Sequence, residues 1–223
     1  MNNYEQIIKL VQPKEWMCDF EKNLGCSILS NDAYLKITND KEFVYEYPNI
    51  MDYIHPIGEI VNLENGDQYV GEVDKNGQFQ GHGTYFWKNG DVYHGEWQYG
   101  NFWGKGVMFL DVNKSNERCY IGHYLNGKCS GYGKYYMKNG EMWYGDFMND
   151  ELLAGKWTNL IGDSYVGKFK NFKFDGDNGL YRWHTGERYL GGWRNGKMNG
   201  KGTMWDKDGK SYSGIWKDNV FQQ

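Results

Sequence analysis

The sequence predicts an all-β fold, a single antiparallel meander of β-hairpins behind a short mixed N-terminal segment, on three observations. Aromatic residues and glycines alternate at a spacing of two, as in Tyr189, Gly191 and Trp193 followed by Gly200, Gly202 and Met204, so each set projects from one face of an extended strand. Asn195-Gly196 between these runs favours the positive φ values of a type I′ turn, and Asp208-Gly209 reads as a second turn of the same chemistry. The arrangement also recurs. The second glycine of a G-x-G pair falls at Gly83, Gly106, Gly133, Gly155, Gly179 and Gly202, at intervals of 23, 27, 22, 24 and 23 residues, and such periods signal arrays whose units bury their apolar faces against neighbours. Glycines opposite the rings leave space for Tyr and Trp to lie across the neighbouring backbone.

Residues 1–57 do not match the repeat. Residues 1–65 carry five Lys/Arg against eleven Asp/Glu, whereas 66–223 carry twenty against eighteen, so the segment is acidic and the repeats are nearly neutral. Within it, Tyr4 to Gln12 has a helix-compatible pattern closed by Pro13, and Lys36 to Tyr47 reads as strand. Pro48 and Pro56 bracket a connection to the array, which occupies 58–223 and opens with a degenerate half-repeat from Gly58 to Gly66.

The first full unit runs from Tyr69 to Gly90, with one extra residue before Gly77 and Val73 where later copies place an aromatic. The second, from Tyr93, ends in a longer tip, Asp111 to Arg118, which accounts for the interval of 27. The third, from Tyr120 to Gly140, is regular. The fourth (Trp143, Gly145, Phe147, Gly155) and fifth (Tyr165, Gly167, Phe169, Gly179) lack the first glycine of the G-x-G pair, which predicts a local bulge or bend. The sixth is the regular copy from Tyr189, and Tyr212, Gly214 and Trp216 begin a seventh that stops after its first strand. This reading gives about thirteen strands, on the order of 58 Å across at about 4.8 Å per strand.

Thirty-one glycines, ten Trp and nineteen Tyr in 223 residues exclude disorder, because aromatics at this density supply the burial that disordered chains lack. No run of 18 apolar residues occurs, and the first residues read as neither secretory nor transit peptide, which implies a cytoplasmic protein. Cys18, Cys26, Cys119 and Cys129 lack C-x-x-C spacing and suit a reducing compartment. The five histidines show no H-x-x-x-H spacing, there is no nucleophile motif, and each G-x-G leads into a strand instead of a helix N-terminus. The expectation is therefore a non-enzyme with no catalytic residues, metal or cofactor. Near-neutral repeats also argue against nucleic acid. Lys and Arg outnumber Asp and Glu from Lys156 to Lys217, but interspersed acids make membrane binding a secondary expectation.

The pattern Y-x-G-x-W-x-N-G-x-x-x-G-x-G-x-M of Tyr189 to Met204 resembles the MORN (membrane occupation and recognition nexus) repeat. The resemblance implies an elongated, twisted single-layer array. Many members of that family are scaffolds of cilia, flagella and the cytoskeleton, radial spoke head proteins among them, and some are linked to phosphoinositide membranes. It implies a protein-interaction component of an axonemal or other cytoskeletal assembly, with a peripheral tether on anionic phospholipids as the alternative.

For most of their area the aromatic rings read as the stacked core of the array, but a single-layer sheet cannot bury both of its faces on itself, which leaves an aromatic groove or the alternate face of Leu190 and Arg194 for partners. The expected protein-binding residues are Tyr93, Trp97, Tyr120, Tyr124, Tyr189, Trp193, Tyr212, Ile215 and Trp216, since Tyr and Trp combine large rigid area with a polar tip. The last three lie in Ser211 to Lys217, read here as an open edge strand that invites another chain or a second copy of this one, as a homodimer, to extend the sheet.

Overall fold

In the computed structural model the described residues are 60–110, 117–137 and 139–222. The expected N-terminal helix and strand, and residues 1–57 as a whole, lie outside them. The fold is all-β, and the strand order in the antiparallel sheet follows the sequence. The described residues divide between two compact units, which lie within 13–128 and 129–223.

In the 13–128 unit the strands are β1 (Val61–Asn62), β2 (Gln68–Val73), β3 (Phe79–Phe86), β4 (Val92–Gln98), β5 (Asn101–Phe109) and β6 (Glu117–Leu125). In the other they are β7 (Lys128–Met137), β8 (Met142–Met148), β9 (Glu151–Thr158), β10 (Ser164–Lys170), β11 (Lys173–Phe174), β12 (Gly176–Arg182), β13 (Arg188–Arg194), β14 (Lys197–Trp205), β15 (Ser211–Lys217) and β16 (Val220–Gln222). Thirteen of the sixteen are the expected ones. The additions are the short β1, β11 and β16, each of two or three residues.

Two kinds of turn alternate along the chain. Within a hairpin, Asn126-Gly127, Asn149-Asp150 and Asn195-Gly196 hold both φ angles positive, at 50 and 79°, 51 and 72°, and 51 and 80°, the geometry of a type I′ turn. The first hairpin, with its extra residue, instead closes through Asp74 and Gln78, where Gly77 N–H donates to Asp74 C=O. Between hairpins the other described links take this second form: Asp206 N–H bonds Lys210 C=O, Gly209 N–H bonds Asp206 C=O, and only Gly209 has positive φ. Asp208-Gly209 is therefore a type I turn with a glycine bulge and not the expected type I′, because three residues must be spanned instead of two.

The glycines opposite the rings are required sterically. A Cβ on Gly83, Gly106 or Gly202 would stand 2.2, 2.4 or 2.2 Å from the hydroxyl oxygen of Tyr69, Tyr93 or Tyr189. Each tyrosine reaches across the glycine and donates to the backbone carbonyl three residues on: Tyr69 to Glu72, Tyr93 to Glu96, Tyr189 to Gly192, at 2.8, 2.9 and 3.2 Å. That carbonyl lies where the pairing register shifts, between Gly71 and Val73, after Gly95, and between Gly191 and Trp193, so the hydroxyl satisfies an acceptor in a bulged stretch of the ladder.

The irregular units follow from their lost residues. In the regular sixth unit three residues of β13 (Gly191 to Trp193) oppose five of β14 (Met198 to Gly202), two extra. In the fourth, Asp146 to Phe147 oppose Ala154 to Leu152, one extra residue instead of two. In the fifth, the second strand breaks at Asp175 into β11 and β12, and its register shifts between Gly176 and Gly179. The seventh unit departs from expectation as well: Val220–Gln222 returns beside β15, with Trp216 opposite Phe221. Ser211 to Lys217 is thus not the last strand, because Asp218-Asn219 turns the chain with φ angles of 49 and 72°.

Gly202→Val should lower stability by about 1–3 kcal/mol or more through overpacking against Tyr189, whereas Lys201→Val, at an exposed neighbouring position, should cost well under 1 kcal/mol. Urea denaturation of both variants checks this, and equal losses would contradict the face assignment.

Candidate interaction surfaces

The aromatic face is built as two interlocked rows. In three hairpins a ring from the start of the second strand stacks on the tyrosine: Phe79 on Tyr69, Phe102 on Tyr93 and Phe174 on Tyr165, with centroids 3.9 to 4.0 Å apart. The following hairpin then sets a ring edge-on against the same tyrosine, Trp97 on Tyr69 at 5.4 Å, Tyr124 on Tyr93 at 5.2 Å and Trp193 on Tyr165 at 5.4 Å. Such offset and T-shaped pairs add to the burial of the rings themselves. Trp97 and Trp193 also donate their indole N–H to the carbonyls of Gly83 and Gly179, both at 3.1 Å.

This packing decides where the expected binding residues stand. Tyr93, Trp97, Tyr120, Tyr124, Tyr189, Trp193 and Trp216 are all buried and form the core of the array. Tyr212 and Ile215 are about half exposed, at 46% and 47%, and lie on opposite faces, since they are three residues apart in one strand. Phe79, Phe102, Phe174 and Phe221 were missed by sequence reasoning, although an apolar residue five positions after the strand-end ring (Phe102, Cys129, Leu152, Phe174, Met198, Phe221) was the available signal.

Carboxylates are largely engaged in holding turns. Asp67 accepts from Lys88 backbone N–H and from the Tyr85 hydroxyl at 2.9 and 2.7 Å. Asp163, at the equivalent place, accepts from His184 N–H and Nδ1 and from the Tyr181 hydroxyl at 2.8 to 2.9 Å. Burial would raise the Asp163 pKa, but the bonds from His184, Tyr181 and Asn159 outweigh it and hold the carboxyl below its ordinary range. The Lys88 N–H, then the Tyr85 hydroxyl, do the same for Asp67. Burial pushes the Tyr69 and Tyr189 phenols up to about 12, so they remain neutral donors. Glu141 accepts both the Trp143 and Trp157 indole N–H groups, at 3.3 and 3.1 Å. Among the described residues no group of three or more His, Cys, Asp or Glu is placed to hold a metal ion.

With the acids of the 129–223 unit gathered in turns, one sheet face is left basic. Lys156, Val166, Leu180, Leu190 and Thr203 are successive register partners on the side away from the rings. Flanking them on that side are Lys168, Arg182, Arg188, Lys201 and Lys217, all exposed, with Asp146 and Glu151 at one end. Of the acids interspersed between Lys156 and Lys217, Asp163, Asp175, Glu187, Asp206 and Asp208 are on the connections, and Asp177 stands in β12. A shallow groove of about 350 Å³ lies over the turns, lined by Trp183, Glu187, Met204, Trp205, Asp206 and Tyr212 among others. Its carboxylates are already engaged, Glu187 by Thr185 and Asp206 by the N–H groups of Asp208 and Lys210.

The family model described as the MORN repeat matches residues 69–92, 93–110, 120–142 and 189–211. These four segments are MORN repeats. They are the regular units, and the two that lack the first glycine fall outside the matches. No curated protein matches the chain. Among solved structures, the SAS-4 (dCPAP) TCP domain of Drosophila melanogaster, in complex with a proline-rich motif of Ana2 (dSTIL), is similar at 9% identity with a TM-score of 0.40, over 78% of this chain and 97% of that one. At that score the likeness is too slight to reason from.

Asp163→Ala should cost about 1–3 kcal/mol at neutral pH by stranding the donors of Tyr181 and His184. Because the folded-state pKa of Asp163 lies below the unfolded value of 3.8, its contribution is present above pH 3.8 and is lost as pH falls through the folded value. Asp163→Asn should therefore be less stable at pH 7 and lose less on acidification. Denaturation curves at pH 7 and pH 3 check this, and an acid loss equal to that of the unmodified chain would contradict it.

Proposed function

We propose that the chain is a non-enzymatic scaffold that holds neighbouring proteins in a cytoskeletal assembly, an axonemal one such as a radial spoke in the finer reading. The observation that carries the reading is the basic open face of the 129–223 unit, with Lys168, Arg182, Arg188 and Lys201 around the half-buried Val166 and Leu190. A broad surface of one charge sign with apolar residues between the cations suits an extended acidic protein partner better than a small substrate, because complementary potential sets orientation and on-rate across many weak contacts. The turn-bound carboxylates support the non-enzymatic part, since groups such as Asp163 and Glu141 already serve the fold. The MORN repeats support a scaffold role in general, and the axonemal setting rests on the resemblance of the repeat pattern.

The same face favours one second reading, a peripheral tether on anionic phospholipid, where each basic residue near the surface is worth about 1 kcal/mol.

A variant carrying Lys168→Glu, Arg188→Glu and Lys201→Glu separates the two. On the scaffold reading, recovery of partners from isolated axonemes falls at least tenfold in the variant, and neither form sediments with phosphatidylserine vesicles at physiological salt. Vesicle binding by the unmodified chain that the variant loses would select the tether. Unchanged recovery with no vesicle binding would remove the face from both.

A further inference from the structure

Two hairpins of the 13–128 unit hold a carboxylate of their own against the G-x-G pair of the second strand. Glu72, which follows Gly71, accepts the backbone N–H of His82 at 2.8 Å, and Glu96, which follows Gly95, accepts that of Lys105 at 3.0 Å. In each case the residue before the donor is a glycine with positive φ, Gly81 at 62° and Gly104 at 54°. The carboxylate stands where a Cβ on that glycine would go, so the glycine both turns the strand and lets the anion approach. An N–H presented beside a left-handed residue forms a concavity that suits a negative oxygen.

The sixth hairpin keeps this backbone and lacks the carboxylate. Its register matches that of the first: Gly191 is opposite Gly202 and Trp193 opposite Met198, as Gly71 is opposite Gly83 and Val73 opposite Phe79. Gly200, in the place of Gly81, holds φ at 87°. The residue in the place of Glu72 and Glu96 is Gly192. Nothing lies within 4 Å of the point that a Cβ on Gly200 would occupy, so the space filled by Glu72 and Glu96 in their own hairpins is open here. Position 192 is also closed to a side chain, because a Cβ there would meet the carbonyl oxygen of Asn199. An acid for this notch has to come from elsewhere.

The surroundings favour one. Lys201, in the place of His82 and Lys105, is exposed and forms no ion pair among the described residues. Lys217, next to the cross-strand partner of Gly200, Trp216, is exposed as well. Asp177, in the stretch of β12 opposite Gly192, is exposed and forms no ion pair with either lysine.

We propose that the notch over Gly200 takes a carboxylate of a partner, an Asp or Glu side chain of an acidic protein segment, in the place that Glu72 and Glu96 fill in the first two hairpins. The Lys201 N–H holds the oxygen, and the Lys201 and Lys217 ammonium groups supply the opposite charge. The proposal rests on the reading of the basic face as a surface for an acidic protein, and adds the point at which one residue of that protein is held.

A polyglutamate peptide at physiological salt is the probe, followed by calorimetry and by the backbone amide resonances of the full chain. Binding should shift the Lys201 amide, and Gly200→Ala, whose methyl fills the notch, should weaken binding about tenfold, the worth of one charge-assisted hydrogen bond. Gly209→Ala is the matched control. Gly209 has φ of 86° and equally open surroundings, so its alanine variant carries the same backbone strain and should leave binding unchanged. An unmoved Lys201 amide overturns the proposal, and this readout decides even where Gly200→Ala does not fold. Unchanged affinity in Gly200→Ala, or equal losses in the two alanine variants, overturns it too. If the variant carrying Lys168→Glu, Arg188→Glu and Lys201→Glu loses the peptide in those cases, the reading of the basic face stands without the notch. Failure of the unmodified chain to bind the peptide overturns both.

Discussion

Everything in this sheet depends on a tyrosine hydroxyl passing over a glycine that has no side chain to stop it. The ring of Tyr189 occupies the space a Cβ on Gly202 would need, and its oxygen bonds the carbonyl of Gly192 in the bulged stretch beyond. One residue thus fills the core, satisfies a backbone acceptor and fixes the register of two strands. Glycine is needed here for the closeness of approach. Where the tyrosine is replaced by Trp143 the hydroxyl is gone, the bulge shortens by one residue, and the indole N–H turns instead to Glu141.

The second constraint is that no hairpin completes its own core. Tyr165 takes a stacked ring, Phe174, from its own hairpin and an edge-on ring, Trp193, from the next. The turns repeat this dependence in the backbone: Gly196 N–H bonds Phe174 C=O and Asn219 N–H bonds Met198 C=O, each reaching back one hairpin. Stability is then a sum of nearest-neighbour terms, as in other repeat arrays.

The fold was legible because its determinants are local and repeated. Aromatic-glycine alternation, Asn-Gly pairs and the period of the G-x-G glycines mark thirteen strands, and even the two irregular units were marked by their missing glycines. What was not legible depended on side-chain direction across strands. The rings of Tyr93 and Trp193 read as core for most of their area, but the residues that close over them, Phe102 and Phe174, were not legible, because they carry no fixed spacing to the glycine once a bulge intervenes. β16 was missed because Val220 to Gln222 has no G-x-G, and a strand of three residues leaves no periodicity to read. A count of charge has the same limit: taken along the chain, it mixes Lys168 and Arg188 on the strand face with Asp163 and Asp206 in the turns.

The alternation of strands joined only to their sequence neighbours also has a mechanical side. A meander pulled by its two ends loads its hydrogen bonds one rung at a time, so it peels open hairpin by hairpin at low force, whereas bonds sheared together would share the load. A chain built this way is a poor rope and a serviceable plank. Stress applied through the flat of the sheet is spread over the stacked rings, so an attachment that must bear load is better placed on the faces of the strands than at the ends of the sheet.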